Sequence, residues 1–161
     1  MCAEGGGNAK MVVRGAVDTD IPLIIGLWHA MRLEAGLGDD LLVPEWEARL
    51  GDFLRAGLAT GTVAVWLAEL RGTRAGTTLG VCKDDYPFLL FAPGFYAFIG
   101  CVFTAPPFRG RGIATELVRR ALNWARERGA REVRLLPTPA SQPIYERLGF
   151  RPAGDLALSL E

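Results

Sequence analysis

The run Arg109-Gly110-Arg111-Gly112-Ile113-Ala114 lies between an apolar strand pattern and a helical one, and its two glycines let the backbone turn tightly. Backbone N–H groups then converge at a helix N-terminus, where unsatisfied donors and the helix dipole favour an anion. The pattern R-x-x-G-x-[GA] is short, and chance supplies about 0.5 matches in a chain of this composition, so its position carries the argument. A P-loop would follow Gly112 with Lys and then Ser or Thr, but Ile113 follows it. A dinucleotide-binding turn would need a third glycine where Thr115 stands. Nucleotide hydrolysis and hydride transfer both lose ground, which leaves an anion-binding turn or a tight connection that binds nothing.

The other reactive side chains are few. Cys2, Cys82 and Cys101 form neither a CxxC pair nor a Cys/His metal spacing, which excludes a disulfide framework and a structural zinc site and predicts no metal. Cys101 sits inside an apolar strand pattern, where burial keeps a thiol protonated and removes it as a nucleophile. Eighteen basic residues balance eighteen acidic ones, which argues against bulk attraction to nucleic acid or an anionic membrane. The balance is uneven along the chain. Residues 1–103 hold eight basic and twelve acidic side chains, a net of −4, and 104–151 hold ten Arg and four Glu, a net of +6. An anionic ligand for the C-terminal half and a cationic one for the N-terminal half follow, although solvated helix faces account for most of these Arg.

A chain of 161 residues, half of them apolar, predicts one domain, here 11–161, behind a flexible Gly-rich tail at 1–10. No apolar run is long enough for a membrane span or signal peptide, so the expected compartment is the cytoplasm. Met11–Val17 reads as a strand. A helix capped by Asp18 or Asp20 follows, with Pro22 in its first turn and a stripe of Leu23, Ile24, Leu27, Trp28 and Met31 up to Gly36. A second helix starts at Pro44, buries Trp46, Leu50, Phe53 and Leu54, and ends near Gly57. Thr62–Leu70 and Gly76–Lys83 form a hairpin around Arg71–Ala75, and 84–94 is a loop. Phe95–Thr104 is apolar on both faces, as in a central strand, and Gly100 marks a bulge or a close backbone approach. After the turn comes a helix on Ile113, Leu117, Val118, Ala121, Leu122 and Trp124, closed by Gly129. Glu132–Leu136 is a strand, Gln142–Leu148 a short helix capped by Gly149, and Phe150–Leu160 a bent strand or strand pair.

Taken together, the apolar strand, TAPPFRGRGIA, the long helix and the later PIYERLGFRP resemble the GNAT superfamily of N-acetyltransferases, with matching element order over residues 11–160. The resemblance implies an α/β (α+β) fold: a mixed, strongly twisted sheet flanked by helices and splayed beside the central strand, with acetyl-coenzyme A in the gap. It implies that the backbone of Cys101, Val102, Phe103 and Thr104 pairs with the pantetheine arm. The N–H groups of Gly110, Arg111, Gly112, Ile113 and Ala114 would hold the pyrophosphate, Arg109 matches the motif's leading Gln or Arg, and Arg111 adds charge nearby. Tyr145 of Y-x-x-x-G-F matches the family's usual general acid, the alternative being a core aromatic with a satisfied hydroxyl. Two departures stand out. Thr138 occupies the place of the Asn often found seven residues before that Tyr, and Phe95–Thr104 lacks the Glu or Asp that many members carry there.

Amine acetylation needs a neutral nitrogen, a donor for the tetrahedral oxyanion, and a proton for the departing thiolate. A backbone N–H near Cys101 or Val102 serves the oxyanion if the strand bulges there. A Tyr of pKa about 10 is a weaker acid than a thiol of about 8.5, so transferring its proton is uphill by roughly 2 kcal/mol and hydrogen bonding to the thiolate matters as much. The base stays open among Asp84, Asp85, Glu34, water and His29, which lies off its helix's apolar stripe as an ordinary exposed histidine does. The acceptor implied is a small-molecule or peptide amine, met by the acidic residues Glu34, Asp39, Asp40, Asp84 and Asp85, whereas Glu45 and Glu47, just inside a helix N-terminus, read as helix-terminus charges; nucleic acid and membrane are not expected, and a homodimer is compatible with the family. The reading from another class is a coenzyme A-binding or sensing module of the same fold without turnover.

Overall fold

The computed structural model describes residues 10–84, 94–154 and 158. Along the chain run β1 (Met11–Gly15), α1 (Ile21–Glu34), α2 (Trp46–Thr60), β2 (Val63–Leu70), β3 (Thr73–Asp84), β4 (Phe95–Thr104), α3 (Ile113–Glu127), β5 (Val133–Leu135) and α4 (Gln142–Arg147). The expected tail at 1–9, most of the loop before β4 and most of the terminal strand fall outside the described residues, and Phe150–Gly154 carries no regular structure. The described strands form one sheet in the order β1-β2-β3-β4-β5, antiparallel except for the parallel pair β4 and β5. α3 makes the crossover that a parallel pair requires.

Alternation along β2 divides the interior into two layers. Val63, Val65 and Leu67 face Ile24, Trp28 and Leu54 of α1 and α2. Ala68 and Leu70 join Ile113 and Leu117 of α3. α3 lies close to the sheet because β3 offers it no side chain at two positions: a Cβ on Gly80 would stand 2.7 Å from the Trp124 ring, and one on Gly76 would stand 3.2 Å from the Ile113 and Leu117 side chains. That close seat brings the N-terminus of α3 to the end of β4.

Three sequence expectations are corrected. The doubly buried strand is β3, in which every residue from Ala75 to Val81 is buried, whereas β4 alternates between buried and half-buried. Beyond Ile99, Cys101 and Val102 are half-buried, with no neighbouring strand on the β5 side among the described residues. Gly57 does not end α2. It lies in a seam of Gly51, Leu54 and Gly57 that packs inward, where a Cβ would meet Val63 at 2.2 Å, and this seam turns Phe53 out to solvent; the helix stops at Gly61 with φ +71°. Neither Asp18 nor Asp20 caps α1 through its side chain. Asp20 instead accepts two hydrogen bonds from Arg14 at 2.7 and 2.8 Å and one from the Val17 N–H, fastening β1 to the start of α1.

Candidate active site

β5 pairs with β4 only at Ala97, Phe98 and Ile99, so from Gly100 to Thr104 that edge of β4 has no ladder partner among the described residues. On its other edge Leu79 faces Gly100 and Thr77 faces Phe103, leaving Thr78 opposite both Cys101 and Val102. Two residues opposing one is a β-bulge, and Cys101 takes the left-handed φ of +50° that the extra residue demands. The Thr78 hydroxyl donates to the Gly100 carbonyl at 3.2 Å and fixes the kink. The bulge thus falls one residue beyond the glycine expected to mark it. It turns the Cys101 side chain into the α1 and α2 core while Val102 packs on the α3 side with Tyr145. Burial pushes the Cys101 thiol up to about 11, consistent with an inert side chain.

That shift has a measurable consequence. The buried thiol keeps its proton above the ordinary value of 9.0, so its contribution to stability is complete below pH 9 and is lost as the pH climbs toward 11. Chemical denaturation should therefore give a Cys101→Ala protein that loses less stability between pH 9 and 11 than the parent, by up to about 3 kcal/mol for a two-unit shift. Equal losses would contradict the burial argument.

The turn after β4 begins with the short helical segment Pro106–Phe108 and ends in two left-handed residues, Gly110 at φ +75° and Gly112 at φ +77°, the latter being the N-cap of α3. The Glu116 N–H closes onto the Gly112 carbonyl at 3.1 Å, so the N–H groups of Ile113, Ala114 and Thr115 precede any intrahelical bond. They open on a groove of about 610 Å³ whose one wall is Val102, Phe103, Thr104 and this turn, and whose other walls come from Met31 and Glu34 of α1 and from Thr138, Ser141, Tyr145 and Arg147. Of the ten residues expected to bind the cofactor, eight line this groove; Cys101 and Arg111 do not. A buried Thr104 hydroxyl inside it has no protein partner.

Tyr145 is 7% exposed and forms part of the wall facing the turn. Burial raises its pKa above the ordinary 10.0, and the Ser141 hydroxyl one helical turn earlier opposes that rise. Ser141 is itself held: its Oγ accepts the Thr138 N–H at 2.9 Å and bonds the Thr138 hydroxyl at 3.0 Å. Thr138 therefore builds the turn that seats Tyr145. The Phe150 ring meets Tyr145 edge-on at 6.0 Å between centroids. Ser141, Met31 and Arg147 were not expected in the site; the i, i+4 relation of Ser141 to Tyr145 is the signal that could have found the first.

The acidic candidates separate. Glu34 reaches the groove, where it is paired with Arg109. His29 is paired with Asp39 at 2.7 Å and packs on Trp46 at 5.4 Å, off the groove lining. Asp84 pairs with Phe95 across the ladder, six residues and about 20 Å of strand from Cys101, and Asp85 lies outside the described residues. Among the described residues no group of three His, Cys, Asp or Glu could hold a metal, and no helix is long and apolar enough to cross a membrane.

Residues 32–150 match the Acetyltransferase (GNAT) family. A predicted acetyltransferase with acetyl-CoA from Clostridium acetobutylicum superposes with a TM-score of 0.83 at 25% identity, covering 94% of this chain and 96% of that one. A GCN5-related N-acetyltransferase from Ralstonia eutropha gives 0.81 at 26% identity over 94% of this chain and 99% of that one. The N-alpha-acetyltransferase MAK3 of Arabidopsis thaliana is 41% identical over 89 residues, which is 53% of this chain and 43% of that protein. The chain spans less than half the length of the curated relatives it matches. Through the family match, which covers the bulged strand, the glycine turn and Tyr145 alike, this chain belongs to the GNAT acetyltransferase family.

Proposed function

We propose that residues 11–161 form one domain that moves an acetyl group from acetyl-coenzyme A directly to a primary amine of a small molecule or peptide. The observation that carries this reading is the union of a bulged β4, whose β5-side edge has no partner past Ile99 among the described residues, with a turn at a helix N-terminus and a buried tyrosine on the facing wall. The donor set fits the cofactor. Gly110, Gly112, Ile113 and Ala114 offer N–H groups to a pyrophosphate, and a Cβ at either glycine would meet no protein atom, so open space borders the turn. The edge from Val102 to Thr104, free among the described residues, with a Thr104 hydroxyl that finds no partner among them, suits the amides of a pantetheine arm.

Acetyl-coenzyme A supplies an activated acyl thioester when bound. A backbone N–H at the bulge, at Cys101 or Val102, would donate to developing negative charge on a carbonyl oxygen. Tyr145, kept protonated by burial, donates its O–H toward sulfur. No carboxylate stands on β4 and Glu34 is ion-paired, which leaves water and Asp85, outside the described residues, to take the amine's proton. The exposed carboxylate of Asp40, beside Asp39 paired with His29, adds negative charge to the α1–α2 connection, which favours an ammonium-bearing acceptor.

The test is thiol release from acetyl-coenzyme A, measured over amines, amino acids, polyamines and peptides. Amine-dependent release whose rate rises with pH supports the reading. Tight cofactor binding with no release for any amine would replace it with the coenzyme A-binding module.

A further inference from the structure

Arg109 is the cation that the motif offers to the phosphates, yet its guanidinium is already engaged. Its Nε donates to the Thr104 carbonyl at 3.0 Å, and its Nη2 donates to Glu34 Oε1. Thr104 ends β4, Glu34 ends α1, and Arg109 opens the turn that leads to α3. One side chain therefore joins three walls of the groove, across a separation of 75 residues between Glu34 and Arg109. Both side chains are well exposed, 50% for Arg109 and 40% for Glu34, and an ion pair so open contributes little to overall stability. A carboxylate beside an anion-binding turn also repels the anion it should help to bind.

We infer that Glu34 and Arg109 are a positioning pair: Arg109 anchors the turn to the end of β4, and Glu34 fixes the guanidinium and with it the spacing between α1 and the turn. The inference rests on the cofactor reading above. Arginine suits the task because its planar fork serves the carbonyl and the carboxylate at once, which a lysine ammonium on a flexible stem does not reproduce. Charge and geometry make opposite forecasts for Glu34. If the carboxylate acted only through its charge, removing it would tighten the binding of an anionic cofactor. If it positions Arg109, removing it loosens the turn and weakens binding.

The experiment is calorimetric titration of the full chain with acetyl-coenzyme A, alongside amide hydrogen exchange of the ligand-free protein. Glu34→Gln should bind roughly 3- to 10-fold more weakly, and Arg109→Lys should lose about as much as Arg109→Gln. The double variant Glu34→Gln/Arg109→Gln should lose no more than Arg109→Gln alone. KM for acetyl-coenzyme A should rise in each variant by a larger factor than kcat falls, the split expected when binding geometry is disturbed. Without ligand, the amides of residues 31–36 should exchange faster in Glu34→Gln. Unchanged or tighter binding by Glu34→Gln, or parental affinity in Arg109→Lys, overturns the pair and makes Arg109 a direct charge ligand. A parent chain that fails to bind acetyl-coenzyme A overturns the cofactor reading instead, and the exchange of residues 31–36 then decides the pairing alone.

Discussion

Replacing Gly112 by valine should lower acetyl-coenzyme A affinity by roughly one to two orders of magnitude while leaving the fold intact. Gly112 is the N-cap of α3 at φ +77° and ψ 6°, a left-handed conformation that costs an L residue about 1–2 kcal/mol and a β-branched one more. A Cβ there meets no protein atom within 4 Å, so the substitution creates no clash in the core. Its isopropyl group instead occupies space beside the N–H groups that border the groove. Each hydrogen bond to a charged group that is lost is worth about 1.5–3 kcal/mol, which sets the size of the effect. Gly112→Asn should suffer less, because asparagine tolerates the left-handed region. Calorimetry that finds unchanged affinity in Gly112→Val, with circular dichroism like that of the parent, would remove the turn from the cofactor site.

The turn was legible in the sequence because its physics is local. Two glycines, an apolar strand before them and an amphipathic helix after them lie within some 20 residues, and each element can be read from its own period. α3 illustrates this: four of its five buried residues, Ile113, Leu117, Val118 and Ala121, are in the predicted stripe, while Ala125 is not and Leu122 and Trp124 are half-buried. Apolar content alone does not reveal which strand a sheet covers on both faces. Phe95–Thr104 is the more apolar run, yet β3 takes the doubly buried place because Gly76 and Gly80 let α3 press onto it. Gly57 misled for a related reason. Glycine serves both as a helix stop and as a point of close approach, and only the position of Val63 in space distinguishes the two.

In the site, the residues beyond reach were those joined across long separations. Nothing in the sequence pairs Glu34 with Arg109, and the acidity of Asp84 does not reveal that its register with Phe95 carries it to the far end of β4. The sequence marks a bulge at Gly100 and it forms at Cys101, because a non-glycine residue held between β3 pairs before and after it can be forced into φ +50°. Thr138 was noted as a departure from the family pattern. Its role as the partner of Ser141, and through it as the support of Tyr145, follows from hydrogen bonds that only the folded turn creates.

Tyr145→Phe should reduce kcat by roughly 10²-fold and leave acetyl-coenzyme A binding within a factor of about three, because the substitution removes one buried hydroxyl and no volume that the core requires. The size of the loss follows from what the hydroxyl can do. Burial raises the Tyr145 pKa above 10.0, so at neutral pH the proton is present, and the thiolate it faces in the reaction is the weaker base. Full transfer is therefore uphill, and the larger share comes from a charge-assisted hydrogen bond to sulfur, worth about 1.5–3 kcal/mol or some 10- to 10²-fold in rate. Partial proton motion in the transition state adds to this, which is why the expected loss lies at the upper end. The pH profile gives a second, independent reading. Because the folded pKa is raised, the donor stays protonated through pH 10, so the parent enzyme should lose activity only above that value, and the phenylalanine variant should lack that alkaline limb. Ser141→Ala should move the limb further up, since it removes the neighbour that opposes the rise, and it should cost less in kcat than the loss of the phenol. A Tyr145→Phe enzyme with the parent's kcat and the parent's alkaline limb would exclude any action of this hydroxyl on the leaving thiolate and leave Tyr145 as part of the groove wall.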